Sequence, residues 1–155
     1  MSDEWLKYLH ILGVILFLGN IIVTAWWKTL ANRTRDPMIN FFVQRQVTLT
    51  DYVFTIPGVL LLVACGDLLA FSMFENSWDV AWVTEGRFTF ALSGVIWLFI
   101  LLPTQRQQAK LAQQFSETAQ IPEHYWVLCR RWNIFGTIAI LVPLYVLMIM
   151  VSKMV

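Results

Sequence analysis

The stretch from Glu4 to Lys28, "EWLKYLHILGVILFLGNIIVTAWWK", decides the fold. It is apolar along most of its length, with Trp5 at one end and Trp26 and Trp27 at the other, yet it carries Lys7, His10 and Asn20. Whether these polar groups lie in a membrane or in a soluble core is answered by the rest of the chain. Of its 155 residues, 58% are hydrophobic and only 14% charged, whereas about a quarter of an ordinary soluble domain is charged. Mean hydropathy is +0.62. A helix needs roughly 20 apolar residues to cross about 30 Å of hydrocarbon at about 1.5 Å per residue. Four segments qualify, at about 5–27, 51–74, 84–104 and 132–153. They consume most of the chain, so the expectation is all-α: a single four-helix transmembrane bundle spanning residues 1–155, with membrane lipid around it.

The first segment does not read as a cleaved leader. Asp3 and Glu4 stand where a basic region would be, and "VTAWWK" offers no small-residue cleavage site. Cys65 falls inside the second span and Cys129 just before the fourth, and neither belongs to a CxxC motif.

Lys and Arg in the connections set the expected orientation. The first connection holds Lys28, Arg33, Arg35 and Arg45, and the third holds Arg106, Lys110, Arg130 and Arg131. The second, "ENSWDVAWVTEGR", has Arg87 alone against Glu75, Asp79 and Glu85. A multi-pass protein of the bacterial inner membrane with both termini periplasmic follows. Pro37 breaks the first connection, "FFVQRQVTLT" after it is expected at the interface, and Thr50 is a candidate N-cap for the second span. The third connection, rich in Gln and Ala, is expected to extend the third helix as an amphipathic stalk into the cytoplasm until Pro122 stops it. Trp5, Trp26, Trp27, Trp78, Trp82 and Trp132 lie near span ends, as interfacial belts require.

Polar groups within the spans are costly and therefore informative. His10, Gly13, Phe17, Asn20 and Thr24 recur at three- and four-residue steps and share one face, which must point into the bundle. His10 lies about five residues, roughly 7–8 Å, from the outer end of its span, and Asp67 about seven residues, roughly 10 Å, from the outer end of the second. Met148 and Met150 in the fourth span fall at similar or slightly shallower depth, with Tyr145 one turn deeper. A neutral imidazole ligates haem iron or copper, a thioether can serve as second ligand, and a nearby carboxylate can fix the imidazole tautomer. His10 with a methionine would suffice for haem b; copper is the runner-up. The alternative is that His10, Asp67 and Asn20 are hydrogen-bonding glue between helices, worth about 0.6–2 kcal/mol, or a proton path. The only other histidine, His124, falls in a connection, so a bis-histidine site within one chain is not expected. At the inner surface, Lys28, Arg45, Asp51, Arg106, Arg130 and Arg131 gather. They serve either as topology determinants that bind anionic head groups or, for Arg106 and Arg131, as bidentate holders of a carboxylate with Asp51 as counter-ion. Asp51 also suits a helix N-terminus.

With "WLKYLHILGVILFLGNI", then "WWK" and "RTRDP", "TIPGVLLLVACG", "PTQRQ" and "RRWNIFG", nearly the whole chain resembles the bacterial predicted integral membrane proteins grouped as a domain of unknown function, family 2269. More distantly, "WLKYLH" resembles the first helix of the haem-containing membrane protoporphyrinogen oxidases and of the copper resistance protein D group. That resemblance implies a small helical bundle with a helix-one histidine ligating haem or handling copper, and only Lys7 and His10 carry over by motif.

No phosphate loop, nucleophile elbow or HExxH is present, and no basic, aromatic-interleaved surface suggests nucleic acid. Whether the chain is an enzyme is left open. The expected function is haem b binding through His10, with Met148, Tyr145 and Arg131 as further cofactor contacts, in redox chemistry or cofactor handling with a redox partner and as a homo-oligomer. The alternative is a structural or assembly protein, or a small transporter, without cofactor.

Overall fold

A computed structural model describes residues 2–118 and 120–152. Four long antiparallel helices make up the bundle: α1 (Asp3–Thr34), α2, α3 and α4 (Glu123–Ser152). α2 runs continuously through Pro37–Thr50, a wide π turn at Asp51–Thr55, and Ile56–Met73. α3 is built the same way, from Ala81–Ile96 through a π turn at Trp97–Leu101 into Leu102–Thr118. All four are long and apolar enough to cross a membrane. The end carrying residues 35–36 and the α3–α4 connection is called the basic end below, and the other the terminal end.

Both π turns have a local cause. Each is followed two residues later by a proline, Pro57 and Pro103. A proline has no N–H for the carbonyl four residues back, and its ring crowds that carbonyl. Here those carbonyls belong to Val53 and Phe99, both inside the π turns. The helix absorbs the misfit by widening, so that Ile56 N–H bonds Asp51 O and Leu102 N–H bonds Trp97 O.

α1 and α2 meet backbone to backbone. A Cβ on Gly13 would come within 2.6 Å of Leu62 N and 2.7 Å of Gly58 O, and one on Gly58 within 2.8 Å of Phe17 N. Lipid offers helices no hydrophobic drive to associate, so close approach at small residues supplies the contact. The stripe from His10 to Thr24 faces inward onto this crossing, as its spacing requires. α3 and α4 are joined through Ser93 Oγ, which donates to Ala139 O at 3.1 Å. At the terminal end, Arg87 pairs with Asp67 at 2.8 Å and reaches Ser77, with Trp78 against its guanidinium.

Several local expectations are corrected. Thr50 caps nothing: it is helical and mid-element, and the cap of α2 is Asp36, whose Oδ1 accepts from Met38 N and Ile39 N ahead of Pro37. Asp51 is therefore inside a helix, not at an N-terminus. The glutamine-rich end of α3 is no free stalk. It packs on the first half of α2 and the start of α4, burying Gln105, Gln108, Ala112 and Phe115 along one face, with Phe115 edge-on to Tyr125. Trp132 is buried, not part of an interfacial belt, and Lys28 is 1% exposed inside α1 instead of in a surface connection.

Candidate functional site

His10 is held by α2. Its Nδ1 donates to Leu62 O at 2.8 Å, since a carbonyl can only accept, and the ring occupies the space a side chain at Gly66 would need. The nitrogen left without a protein partner is then Nε2. This bond fixes the tautomer a metal-ligating imidazole uses, and it equally makes His10 a link between α1 and α2.

The residues expected to complete a haem site around His10 are dispersed. Tyr145 donates to Glu85 of α3 at 2.7 Å. Met148 is 51% exposed, two residues beyond buried Val146 and so about 200° round the helix from it. Arg131 is exposed at the basic end, 17 positions before Met148 and hence about 26 Å away along α4. Asp67 is engaged with Arg87, and Lys7 is exposed. No side-chain hydrogen bond or ion pair joins any of these residues to His10 among the described residues. Among the described residues, no three His, Cys, Asp or Glu side chains gather as a metal-ligand set.

What the fold does gather lies toward the basic end. Asp51, on the π turn of α2, accepts from Gln105 Nε2 of α3 at 2.7 Å and from Thr55 Oγ1 at 2.9 Å. Asn20 of α1 donates to Thr55 Oγ1 at 2.9 Å and reaches Asp51 at 3.4 Å. Gln105 Oε1 accepts from Trp132 Nε1 of α4 at 3.4 Å. The Lys28 ammonium sits 4.4 Å from the centroid of that indole and donates to Gln44 Oε1 and Gln108 Oε1, each at 2.6 Å. Gln108 Nε2 continues to Cys129 Sγ at 3.4 Å. The network crosses all four helices. A buried ammonium is tolerated only with partners, and here two amide oxygens and a ring face provide them.

Beside this network, a cavity of about 570 Å³ opens between the α1–α2 and α3–α4 pairs. Both π turns line it, through Asp51 and Thr55 on one side and Trp97 and Leu101 on the other. Its walls are mainly apolar, Asp51 is the single charged residue among those lining it, and Thr24, Ser93, Gln105 and Asn133 add polar groups. Leu60, Gly94, Asn133 and Thr137 are both lining and exposed, so the cavity opens on the bundle surface. Size and lining match small-molecule sites, which run about 300–1,000 Å³ and pair apolar walls with a few polar groups.

Of the residues expected to matter, the structure brings Asn20 and Asp51 together in this cluster and leaves His10, Asp67, Tyr145 and Met148 outside the cavity lining. Arg106 is exposed beside it. Gln44, Gln105, Gln108 and Trp132 carry the network and were not anticipated. For the two on α3 the signal was the three- and four-residue spacing of Gln105, Gln108, Ala112 and Phe115, a buried face written partly in amides.

The model of a family described as predicted integral membrane protein, a domain of unknown function numbered 2269, matches residues 4–154. No curated protein and no solved structure matches the chain.

Proposed function

Because the chain belongs to this family of predicted integral membrane proteins, we propose that it is a ligand-binding membrane protein of the carrier or small-transporter type, taking an amphipathic molecule from the bilayer into the cavity between its helix pairs. The observation that carries the reading is the 570 Å³ cavity framed by two π turns, features that cluster at functional sites. Its exposed mouth residues lie along apolar spans, which suits lateral entry from lipid. The pair of half-buried Asp51 and buried Gln105 supports a polar end for the ligand's head. The host is the bacterial inner membrane with both termini periplasmic, supported by the bias of basic residues toward the first and third connections.

Titration of dioleoylglycerol into the detergent-purified protein, followed by native mass spectrometry, tests the reading. Gly94 and Gly136 line the cavity, and a Cβ at either meets nothing closer than 3.9 Å, so Gly94→Phe and Gly136→Leu should fill it without breaking the helix crossings. Binding to the wild type and its loss in both variants is the expected result. Equal occupancy in all three proteins would refute the site.

Haem b or copper at His10, serving redox chemistry or cofactor handling with a redox partner, is the second reading. Its support is the Nδ1 bond to Leu62, which leaves Nε2 free as a ligand. A Soret band in purified protein that disappears in His10→Ala would favour it, and full haem loading unchanged in His10→Ala would dismiss it.

A further inference from the structure

A second, smaller cleft of about 210 Å³ lies on the other side of the Asp51–Gln105 pair. Thr48, Tyr52, Arg106 and Lys110 line it, and it shares Asp51, Ile56, Trp97 and Gln105 with the larger cavity. These four residues form a partition one side chain thick, tied across α2 and α3 by the 2.7 Å hydrogen bond. The two sides differ in charge. The inner cavity has one carboxylate and no cation, whereas the cleft has two cations against the same carboxylate. Arg106 and Lys110 are one helical turn apart on α3, both exposed, and neither has a carboxylate partner among the described residues. The Asp51 oxygens are already accepting from Asn20, Thr55 and Gln105, so the carboxylate does not neutralise them by direct contact.

We infer that the cleft and the cavity form one two-part site for an acidic amphiphile, whose phosphate or carboxylate head pairs with Arg106 and Lys110 while its apolar body lies in the inner cavity. The inference rests on the ligand-binding reading above and adds the head-group chemistry. An Arg fork and a Lys point charge converging on one concavity suit an anionic oxygen cluster. A head held at the basic end with its body toward mid-span also matches the depth order of a lipid. The Asp51–Gln105 bond is the element the body must pass, and the π turns that carry Asp51 and Trp97 place the partition where each helix is least regular.

Three probes separate head from body: dioleoylphosphatidic acid, dioleoylglycerol with the same body and no charge, and inorganic phosphate with the head alone. Each is titrated by native mass spectrometry into the full-length protein in a non-ionic detergent. The wild type should bind phosphatidic acid at least about tenfold more tightly than dioleoylglycerol and should not retain inorganic phosphate. The double variant Arg106→Gln, Lys110→Gln should reduce phosphatidic acid to the dioleoylglycerol level and leave dioleoylglycerol unchanged. Arg130→Gln, Arg131→Gln removes the same charge from exposed positions on α4 at the same end and should keep the tenfold preference. Gly136→Leu should abolish binding of both amphiphiles. If dioleoylglycerol binds and Gly136→Leu blocks it, but phosphatidic acid gains nothing from Arg106 and Lys110, the head-group assignment falls while the cavity reading stands. Equal loss in the two double variants would mean general surface attraction and would also overturn it, as would inorganic phosphate competing fully with phosphatidic acid. If neither amphiphile binds the wild type, the cavity reading itself fails.

Discussion

Adding one methyl group at the α1–α2 crossing should cost more than any other alanine substitution of a glycine in a span. In Gly13→Ala the new Cβ would lie 2.6 Å from Leu62 N, against an ordinary contact of about 3.4 Å or more. Both neighbours are backbone, so no rotamer change relieves the clash and the helices must part by about 0.8 Å. Carried along the interface, that displacement would stretch His10–Leu62 from 2.8 Å and Asn20–Thr55 from 2.9 Å past the limit at which a hydrogen bond holds. Overpacking costs about 1–3 kcal/mol, and each interhelical hydrogen bond in a membrane about 0.6 kcal/mol. The better helix propensity of alanine returns about 0.5–1 kcal/mol, leaving a net loss of about 1–4 kcal/mol. Gly58→Ala should behave alike, its Cβ meeting Phe17 N at 2.8 Å. Gly19→Ala and Gly94→Ala are the controls: nothing lies within 4 Å of a Cβ at either, so both should be neutral or more stable by up to about 1 kcal/mol. Steric trapping in bicelles measures these differences directly. Finding Gly13→Ala as stable as Gly19→Ala would show that the two backbones do not touch there.

Lys28→Met should destabilise by about 2–5 kcal/mol by leaving the Gln44 and Gln108 carbonyls buried and unpaired, whereas Gln44→Glu, which keeps an acceptor for the ammonium, should retain wild-type stability in the same unfolding assay. His10→Gln should lose no more than about 1–2 kcal/mol if the imidazole serves as a link to Leu62; a larger loss in the same unfolding assay would show that the ring does something besides bridging. Arg35 ends α1 at φ 53°, a conformation that favours glycine, so Arg35→Gly should raise stability by up to about 1 kcal/mol, with thermal unfolding in detergent as the check. An alkaline phosphatase fused after Val155 should be active and a fluorescent protein there dark; the reverse pair would invert the proposed orientation.

The four helices and the inward face of α1 were legible because hydropathy and three-four spacing report on burial directly. The continuation of α3 past its span, which runs to Thr118, was legible too. The reach of α2 was not: the second span estimate begins where apolar residues do, at residue 51, yet α2 begins at Pro37. The two extensions bury the amides Asn40, Gln44, Gln105 and Gln108, and a hydropathy argument assigns such residues to water. Lys28 misled for a related reason. A lysine just past a tryptophan pair has the composition of an interfacial anchor, and only its partners sixteen and eighty positions away, Gln44 and Gln108, reveal it as interior. Removing it from the surface leaves seven basic residues toward the basic end against Lys7 and Arg87 toward the terminal end among the described residues, so the bias behind the expected orientation is kept.

Depth alone suggested that His10, Tyr145 and Met148 meet, and azimuth decided otherwise. Residues at one level of a four-helix bundle converge only if each also falls on its helix's inner stripe. On α4 that stripe is Trp132, Gly136, Ala139, Pro143, Val146 and Ile149, which Met148 opposes. Two of the helix-interior prolines mark the cavity, whereas Pro143 of α4 sits in unbroken α-helix. Pro57 and Pro103 each force their helix to widen just before them, and the two turns so produced, Asp51–Thr55 and Trp97–Leu101, face the same cavity. A carboxylate placed six residues ahead of a helix-interior proline is thus carried on a turn whose backbone is already irregular, which lets its side chain reach across to Gln105 at 2.7 Å. The sequence features that mark this site are "DYVFTIP" and "WLFILLP", two segments of equal length with no resemblance in side chains and the same consequence for the helix.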